Sequence, residues 1–326
     1  ATVALRGTVS LLNNNLARSS NGWLASIHNS VVQGGGKLLL SGPVQGACEG
    51  PGLRQATSVR YVDLAGLGCP ALVVCSTAGT QVYEEDGQTQ LFYAPVPDQG
   101  AENPAALSYH QGCCVVPALA HMVIGTSKGS LLPVITPAAR GGDWHQLPEN
   151  SPSSPATGVA DVCFSETAGA VFSAHASGEL RVWTCAPGGP GSGSYSNVKV
   201  AAAVGEAPTR IASLGPRIAV AYGPGTVVLH SVADLSLEPQ VEVTAHARWT
   251  TAVEVVEELG WIVTVGEDTV LNVWKVDAVT GQVDLQHTSV VAAKLLTGVA
   301  IDLGPARSVL VSAYDAGEVF KVPLAC

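Results

Sequence analysis

A short pattern recurs seven times along the 326 residues of this chain. In its clearest copies, SAHASGELRVW at 173–183 and TVGEDTVLNVW at 264–274, one strand-like run leads through a tight turn into a second run that ends on Trp. The residues that mark this turn in the seven copies are Ser30, Gly79, Gly129, Gly178, Gly225, Thr269 and Gly317. They are separated by 49, 50, 49, 47, 44 and 48 residues, and spacing this even indicates a repeat architecture.

Each interval contains about four short apolar runs separated by turn residues. In the sixth copy these runs are TTAVEVVEE, WIVTV, TVLNVWKV and GQVDLQHT. The 36 Gly and 20 Pro residues and the single Met also favour short strands joined by tight loops. Seven copies of a four-stranded antiparallel sheet predict an all-β, seven-bladed β-propeller that forms one domain over residues 1–326.

The two ends of the chain predict how the ring closes. The seventh copy stops after its third strand, at GEVFKVPLAC, and the chain begins with a lone strand, TVALRG. We expect residues 2–6 to supply the outer strand of the seventh blade, because closure removes the unpaired edge of an open ring.

The sixth copy also carries polar residues at characteristic places: His246 in AHARW, Thr264 and Asp268 in TVGED, and Trp274 in NVW. In this it resembles the WD-repeat family, whose blades commonly hold a hydrogen-bonded tetrad of His, Ser or Thr, Asp and Trp. The resemblance implies a seven-bladed propeller in which these four residues lock a loop onto the blade and do no catalysis.

The other copies depart from the WD-repeat pattern. The fourth retains Ser173 and Trp183 but has Ser177 at the usual position of Asp, and its preceding segment SPSSPATG supplies no His. The remaining five copies lack the Trp. From the sequence we therefore expect a complete tetrad in the sixth blade alone.

No motif in the sequence supports an enzyme. GTSKG at 125–129 matches the pattern of a hydrolase nucleophile elbow, but the apolar run SLLPVI after Ser127 predicts a strand where the elbow requires a helix. GGGK at 34–37 lacks the spacer and the hydroxyl of a phosphate-binding loop. The eight Cys form no C-x-x-C pair, and the His residues are not at zinc spacing. We expect no catalytic residues, no cofactor and no metal site.

Charge and hydropathy narrow the choice of partners. The formal net charge of −10, without a basic stripe, disfavours nucleic acid and anionic membranes as ligands. No apolar run approaches the roughly 18 residues of a membrane span, so no membrane insertion is expected. The scattered cysteines are expected to be reduced thiols, which suits the cytoplasm, and the protein is expected to be a monomer outside any complex.

The leading functional hypothesis is a non-catalytic scaffold that binds a protein or peptide. The WD-repeat resemblance implies binding on the face formed by the turns after the second and fourth strands. We expect that face to carry His175, Tyr222, Arg248, Trp249, Glu267 and Tyr314. The alternative hypothesis is a structural subunit of a large ciliary or microtubule-associated assembly, located at the cilium or cytoskeleton, with the loops 186–196 and 84–87 as docking sites.

Overall fold

Seven four-stranded antiparallel sheets make up the protein in the computed structural model, which describes residues 1–30, 35–97, 108–186, 193–291 and 293–324. In each sheet, here termed a blade, the strands are lettered a to d from the innermost to the outermost. The innermost strands contact one another in chain order, and the last of them contacts the first, so the blades form a closed ring. The predicted seven-bladed, all-β propeller is confirmed.

The strands of the blades have the following bounds. The N-terminal strand is β1 (Thr2–Ala4), and blade 1 contains β2 (Ala17–Arg18), β3 (Leu24–Ser30), β4 (Gly35–Gly42) and β5 (Gly46–Leu53). Blade 2 contains β6 (Ala56–Asp63), β7 (Pro70–Ser76), β8 (Gly79–Tyr83) and β9 (Gln90–Pro95). Blade 3 contains β10 (His110–Val116), β11 (His121–Thr126), β12 (Leu131–Ile135) and β13 (His145–Gln146). Blade 4 contains β14 (Val159–Ser165), β15 (Ala170–His175), β16 (Leu180–Cys185) and β17 (Tyr195–Ala201).

The remaining blades follow the same order. Blade 5 contains β18 (Pro208–Leu214), β19 (Arg217–Tyr222), β20 (Thr226–Ser231) and β21 (Pro239–Thr244). Blade 6 contains β22 (Thr250–Val256), β23 (Trp261–Gly266), β24 (Val270–Val276) and β25 (Val283–Val290). Blade 7 contains β26 (Leu296–Asp302), β27 (Ser308–Ala313) and β28 (Glu318–Pro323). Short 3-10 turns occur at Pro117–Leu119, Ala233–Leu235 and Glu257–Leu259.

The N-terminal strand closes the ring, as predicted from the two ends of the chain. Strand β1 is the outer strand of blade 7 and runs antiparallel to β28, with Val3 opposite Val319. The strand covers residues 2–4 of the expected 2–6. Beyond it, the Leu5 amide donates one further hydrogen bond to the Gly317 carbonyl at 2.9 Å.

The core consists of apolar side chains that lie between adjacent blades. Every residue of the b strands β7, β11, β15, β19, β23 and β27 is buried. Burial on both sides of a sheet explains why these strands are nearly continuous apolar runs in the sequence. Cys113 and Cys114 follow this packing, since their side chains belong to two different apolar clusters.

The residues that revealed the repeat lie between strands b and c or, for Ser30 and Gly79, at the strand end that borders this turn. Gly178 has a φ of 90°, and a β-carbon there would approach the Gly205 carbonyl to 2.1 Å, so this position requires glycine. Ser127 occupies the same turn in blade 3, where its Oγ accepts a hydrogen bond from the Tyr109 amide at 3.2 Å. Strand β12 follows it in place of a helix, so GTSKG is a turn and not a nucleophile elbow.

Candidate protein-binding face

One end of the propeller carries the turns between strands b and c together with the connections from strand d to the next strand a. These segments share an end because successive antiparallel strands reverse direction. This end is termed the b–c face. Four of the predicted contact residues lie in its segments: Arg248 and Trp249 in the connection into blade 6, Glu267 in the b–c turn of blade 6, and Tyr314 in that of blade 7. The Glu267 amide donates to the Trp249 carbonyl at 2.9 Å, which joins the two blade 6 segments.

Trp249 is an exposed aromatic side chain with a fixed position. A β-carbon on Gly223 would come within 2.5 Å of two indole atoms, so the ring lies directly on the backbone of the blade 5 b–c turn. The residue nevertheless remains 38% exposed. Its neighbour Arg248 is exposed and has no ion-pair partner among the residues that the structure describes. An indole and an unpaired guanidinium therefore adjoin on this face.

Tyr314 provides a second exposed aromatic group on blade 7. Its amide donates to the Leu295 carbonyl at 2.8 Å, and its backbone forms an isolated parallel bridge with Val9. Tyr314 is 47% exposed and lines a groove of about 360 Å³ together with Leu11, which is 53% exposed. The sequence reasoning missed Leu11. The available signal was an apolar Leu11–Leu12 pair next to three Asn residues, of which Leu12 packs into the core.

The structure contradicts two of the expected contact residues, His175 and Tyr222. Each is the last residue of a b strand and is fully buried, at 0% exposure, so neither is available on the b–c face. Both had been assigned to the turn, which begins one residue later. Because every residue of these two strands is buried between neighbouring blades, a residue that belongs to the strand lies in the core, whereas one in the turn can reach solvent.

The four tetrad residues of blade 6 form one hydrogen-bonded chain. Trp274 Nε1 donates to Thr264 Oγ1 at 3.2 Å, and Thr264 Oγ1 lies 2.9 Å from His246 Nε2. His246 Nδ1 lies 3.0 Å from Asp268 Oδ1. The Asp268 carboxylate also accepts from the Ala247 amide at 2.9 Å. The network thereby ties the connection from blade 5 to the b–c turn of blade 6.

The protonation of this chain follows from its donors and acceptors. The Asp268 carboxylate only accepts, so His246 Nδ1 carries the proton and donates to it. In the neutral imidazole Nε2 is then an acceptor, and the Thr264 hydroxyl donates to Nε2 while it accepts from the indole N–H. Burial lowers the pKa of His246 below its ordinary value, although Asp268 acts to raise it, so the imidazole is neutral. His246 is 4% exposed and Thr264 0%, so no substrate can reach this Thr–His–Asp arrangement.

Blade 4 contains a related network that the sequence reasoning missed. Trp183 Nε1 donates to Ser173 Oγ at 2.8 Å, and Ser173 Oγ lies 2.8 Å from His175 Nε2. His175 Nδ1 lies 2.9 Å from the carbonyl of Thr157, which takes the place of the Asp carboxylate. The His comes from strand b itself and not from the preceding connection. The pattern Ser-x-His was the available signal, because residues two apart lie on the same side of a strand.

Of the two loops predicted as docking sites, one is only partly described and the other lies away from the b–c face. Of the loop 186–196, residues 187–192 lie outside the described part of the chain. The acidic turn 84–87 joins strands c and d of blade 2 and so lies at the end opposite the b–c face. Its acids are engaged: Glu84 pairs with Arg140, and Glu85 Oε2 accepts from Asn21 Nδ2 at 3.0 Å.

The described ranges contain neither a candidate metal site nor a candidate membrane span. No group of three or more His, Cys, Asp or Glu side chains is arranged there to hold a metal ion. None of the helices in those ranges has the length and apolar character needed to cross a membrane.

Comparison with known structures supports the fold. A chain of the mitotic checkpoint complex superimposes with a TM-score of 0.72 at 12% sequence identity, covering 99% of this chain and 93% of the other. The WD40 β-propeller domain of Doa1 superimposes with a TM-score of 0.67, also at 12% identity, covering 100% of this chain and 96% of the other. At this identity the likeness concerns the fold alone.

Comparison of sequences identifies the family. Human WD repeat-containing protein 54 is 27% identical over 346 residues, which cover 98% of this chain and 96% of that protein. The mouse protein of the same name is 24% identical, with 98% and 97% covered. The model of the WDR54 family matches residues 2–323. The WD-repeat resemblance is thereby confirmed, and the chain belongs to the WDR54 family.

Proposed function

We propose that this protein is a non-catalytic scaffold that binds a peptide or a protein domain on its b–c face. The observation that carries the proposal is the exposure of two large aromatic residues, Trp249 and Tyr314, on adjacent blades. The Trp249 ring is held against the blade 5 b–c turn, and the Tyr314 backbone is bridged to Val9, so binding has to order little of the backbone on this face. Anchored aromatic side chains of this kind dominate the free energy of protein interfaces.

The charges beside these aromatic groups suggest the chemistry of the partner. Arg248 offers a planar set of N–H donors without an ion-pair partner in the described residues, and it adjoins Trp249. Glu267 is held against the same connection. A segment with a carboxylate next to an apolar or aromatic side chain would pair with Arg248 and cover the indole. We therefore propose an acidic, apolar-anchored segment as the ligand.

Several observations support a role without catalysis. The Thr264–His246–Asp268 arrangement is inaccessible, and Ser127 is a turn residue whose hydroxyl accepts from the Tyr109 amide in the connection into blade 3. We further propose that the propeller acts as one domain, is a monomer outside its complex, and resides in the cytoplasm. The seven described cysteines are all free thiols, which suits a reducing compartment.

The test is affinity capture of partners from cell extract with the wild type and with a Trp249→Ala/Tyr314→Ala variant. Removal of two anchors should weaken capture by at least ~2 kcal/mol, which is about 30-fold in Kd. The melting temperature should hardly change, because both side chains lie outside the core. The matched control is Val198→Ala/Leu285→Ala, which removes two exposed apolar side chains from outer strands.

The control pair distinguishes a specific face from general stickiness. Equal loss of capture in both double variants would show that exposed apolar area, and not the b–c face, retains the partner. Full capture by Trp249→Ala/Tyr314→Ala would place binding elsewhere on the propeller. Retention of that variant in a salt-resistant cytoskeletal fraction would then favour a structural subunit of a ciliary or microtubule-associated assembly.

A further inference from the structure

Four charged residues from four blades meet across the central channel. They stand on the innermost strands β6, β14, β18 and β22 and are Arg60, Asp161, Arg210 and Glu254. In each of these blades the a–b pairing shifts register near the start of the inner strand. Asp161 and Arg210 follow that shift directly, whereas Arg60 and Glu254 stand two residues further along. Because residues two apart point to the same side, all four positions share one side of their strands.

Arg60 has its donors occupied by protein acceptors. Its Nη2 donates to both carboxylate oxygens of Asp161, at 2.9 and 3.2 Å. Its Nη1 donates to the Cys113 carbonyl and, at 3.4 Å, to the Val162 carbonyl. Asp161 also accepts from the Ile211 amide at 3.2 Å. The donors of Arg60 and the acceptors of Asp161 are thus largely occupied by other protein groups, which leaves few of them to bind a ligand.

Arg210 differs, because its guanidinium has charge partners without direct hydrogen bonds. Its Nη1 lies 3.6 Å from Asp161 Oδ2, and its Nη2 lies 3.6 Å from Glu254 Oε2. These separations exceed the 2.7–3.2 Å typical of an N–H···O hydrogen bond. Its Nε is buried and has no partner among the described residues. The side chain is only 15% exposed, so it is largely enclosed by the surrounding strands.

Arg210 lines a cavity of about 150 Å³, which is also lined by Arg18, Arg60 and Glu254. This volume is several times the ~30 Å³ that one water molecule occupies in the liquid. Asn14 borders the cavity and bridges the adjacent inner strands β18 and β22: its Nδ2 donates to the Thr209 carbonyl at 2.7 Å, and its Oδ1 accepts from the Val253 amide at 3.2 Å. The cavity therefore has room for a small ion and walls with fixed positions.

The arginines and carboxylates around the cavity are equal in number, although the chain as a whole is acidic. Three arginines face three carboxylates there: Arg18, Arg60 and Arg210 against Asp161, Glu254 and Asp302. Arg18 is held by Asp302 at 2.9 Å, and Asp302 also pairs with Lys321 at 3.1 Å. The chain has a net charge of −10 and only ten arginines, so three arginines in one cavity are a strong local concentration of donors.

We propose that this channel cavity binds a small tetrahedral oxyanion, of the phosphate or sulfate class, through the free donors of Arg210. A guanidinium presents N–H groups in a planar fork that matches two oxygens of such an ion. The anion completes the hydrogen bonding of Arg210, while the Arg60–Asp161 pair and Asn14 hold the walls in place. Bound at the centre of the ring, the anion joins blades 4, 5 and 6.

The affinity should depend on the protonation of Glu254. Desolvation by the surrounding blades raises the pKa of this carboxyl to about 7, with Arg60 lowering it and Asp161 adding to the rise. Its side chain is 38% exposed and lines the cavity. Of the other elements around that cavity, blade 1 contributes Arg18, and Asn14, Val299 and Ala300 are uncharged. Protonation below about pH 7 removes one negative charge beside Arg210, so the anion should bind more tightly in acid.

The experiment is isothermal titration calorimetry of the full chain with sodium sulfate, at constant ionic strength, at pH values about one unit above and below 7. Sulfate is a dianion at both, so any change belongs to the protein. We expect saturable binding that is about fivefold tighter at the lower pH, and about tenfold weaker or absent in Arg210→Gln. Arg54→Gln, which removes an exposed arginine, is the matched control and should bind like the wild type.

Glu254→Gln keeps the test decisive if Arg210→Gln does not fold. This nearly isosteric change should give tight sulfate binding at both pH values and abolish the pH dependence. Inorganic phosphate and glycerol phosphate are titrated in parallel: binding of phosphate alone identifies the free ion as occupant, and binding of both identifies a monoester. The proposal is overturned by absence of saturable sulfate binding, by equal binding in Arg210→Gln, or by an unchanged pH profile in Glu254→Gln.

Discussion

Replacement of Asp268 by Ala removes the carboxylate that accepts from His246 Nδ1 and from the Ala247 and Val270 amides. Asp268 is 14% exposed at its side chain and Ala247 is exposed, so water can replace the acceptor for the two amides. The His246 side chain is 0% exposed and would retain an unpaired donor. One buried unsatisfied donor costs about 1–3 kcal/mol, which we expect as the loss in the free energy of unfolding.

This loss converts into a measurable melting shift. An unfolding entropy of ~2.1 cal/mol/K per residue amounts to about 0.7 kcal/mol/K for 326 residues, so the melting temperature should fall by about 1.5–4 °C. Differential scanning calorimetry measures it. The matched control is Asp268→Asn, which keeps one acceptor oxygen for His246 Nδ1 and should show at most about half of the shift.

The pH dependence provides a second test of the same reasoning. The folded pKa of His246 lies below its ordinary value of 6.5, so the unfolded chain takes up this proton first and stability falls as the pH drops below 6.5. Asp268 raises the folded pKa, and its removal lowers that pKa further. The defect of Asp268→Ala should therefore deepen in acid. A variant that melts with the wild type at both neutral and acidic pH would refute the reasoning.

Two further predictions concern ring closure and blade 4. Deletion of residues 1–6 should leave β28 as an unpaired edge, lower the melting temperature by more than Asp268→Ala does, and promote association. Light scattering and calorimetry check this, and a truncated chain that stays monomeric and melts like the full chain contradicts it. His175→Ala should reduce the free energy of unfolding by about 1–3 kcal/mol, because Ser173 and Thr157 lose their partner. The same variant should capture partners as the wild type does, and a selective loss of capture at unchanged stability would instead return His175 to the binding face.

The repeat and the fold class were readable from the sequence because they depend on local properties. Each strand alternates its side chains or is buried on both sides, and each b–c turn requires a residue that tolerates its backbone geometry. The seven residues that mark the b–c turns therefore locate the seven blades. The last copy of the repeat lacks one strand and the chain begins with a single strand, which together locate the closing strand β1. The repeat and the fold class can therefore be predicted without knowing which blades are neighbours in space.

The sequence predicted less well whether a given side chain points into the core or to solvent. His175 and Tyr222 were predicted on the binding face, yet they end their strands and point inward. A repeat locates a turn to within a residue or two, whereas the boundary between a strand buried on both sides and an exposed turn falls between two successive residues. For the same reason the blade 4 network was missed: His175 reaches Ser173 from within strand b, where the WD-repeat pattern places the His in the preceding connection.

The pairing of charged residues in the central channel could be determined only from the tertiary structure. Arg60 and Asp161 are 101 residues apart, and Asn14 and Thr209 are 195 residues apart, yet each pair is joined by hydrogen bonds. A strand pattern records which side of its own sheet a residue occupies, and nothing about the strand on the far side of the ring. Only the number of blades and the closure by β1 determine which inner strands face one another, and so which charges pair and where the donors of Arg210 remain free.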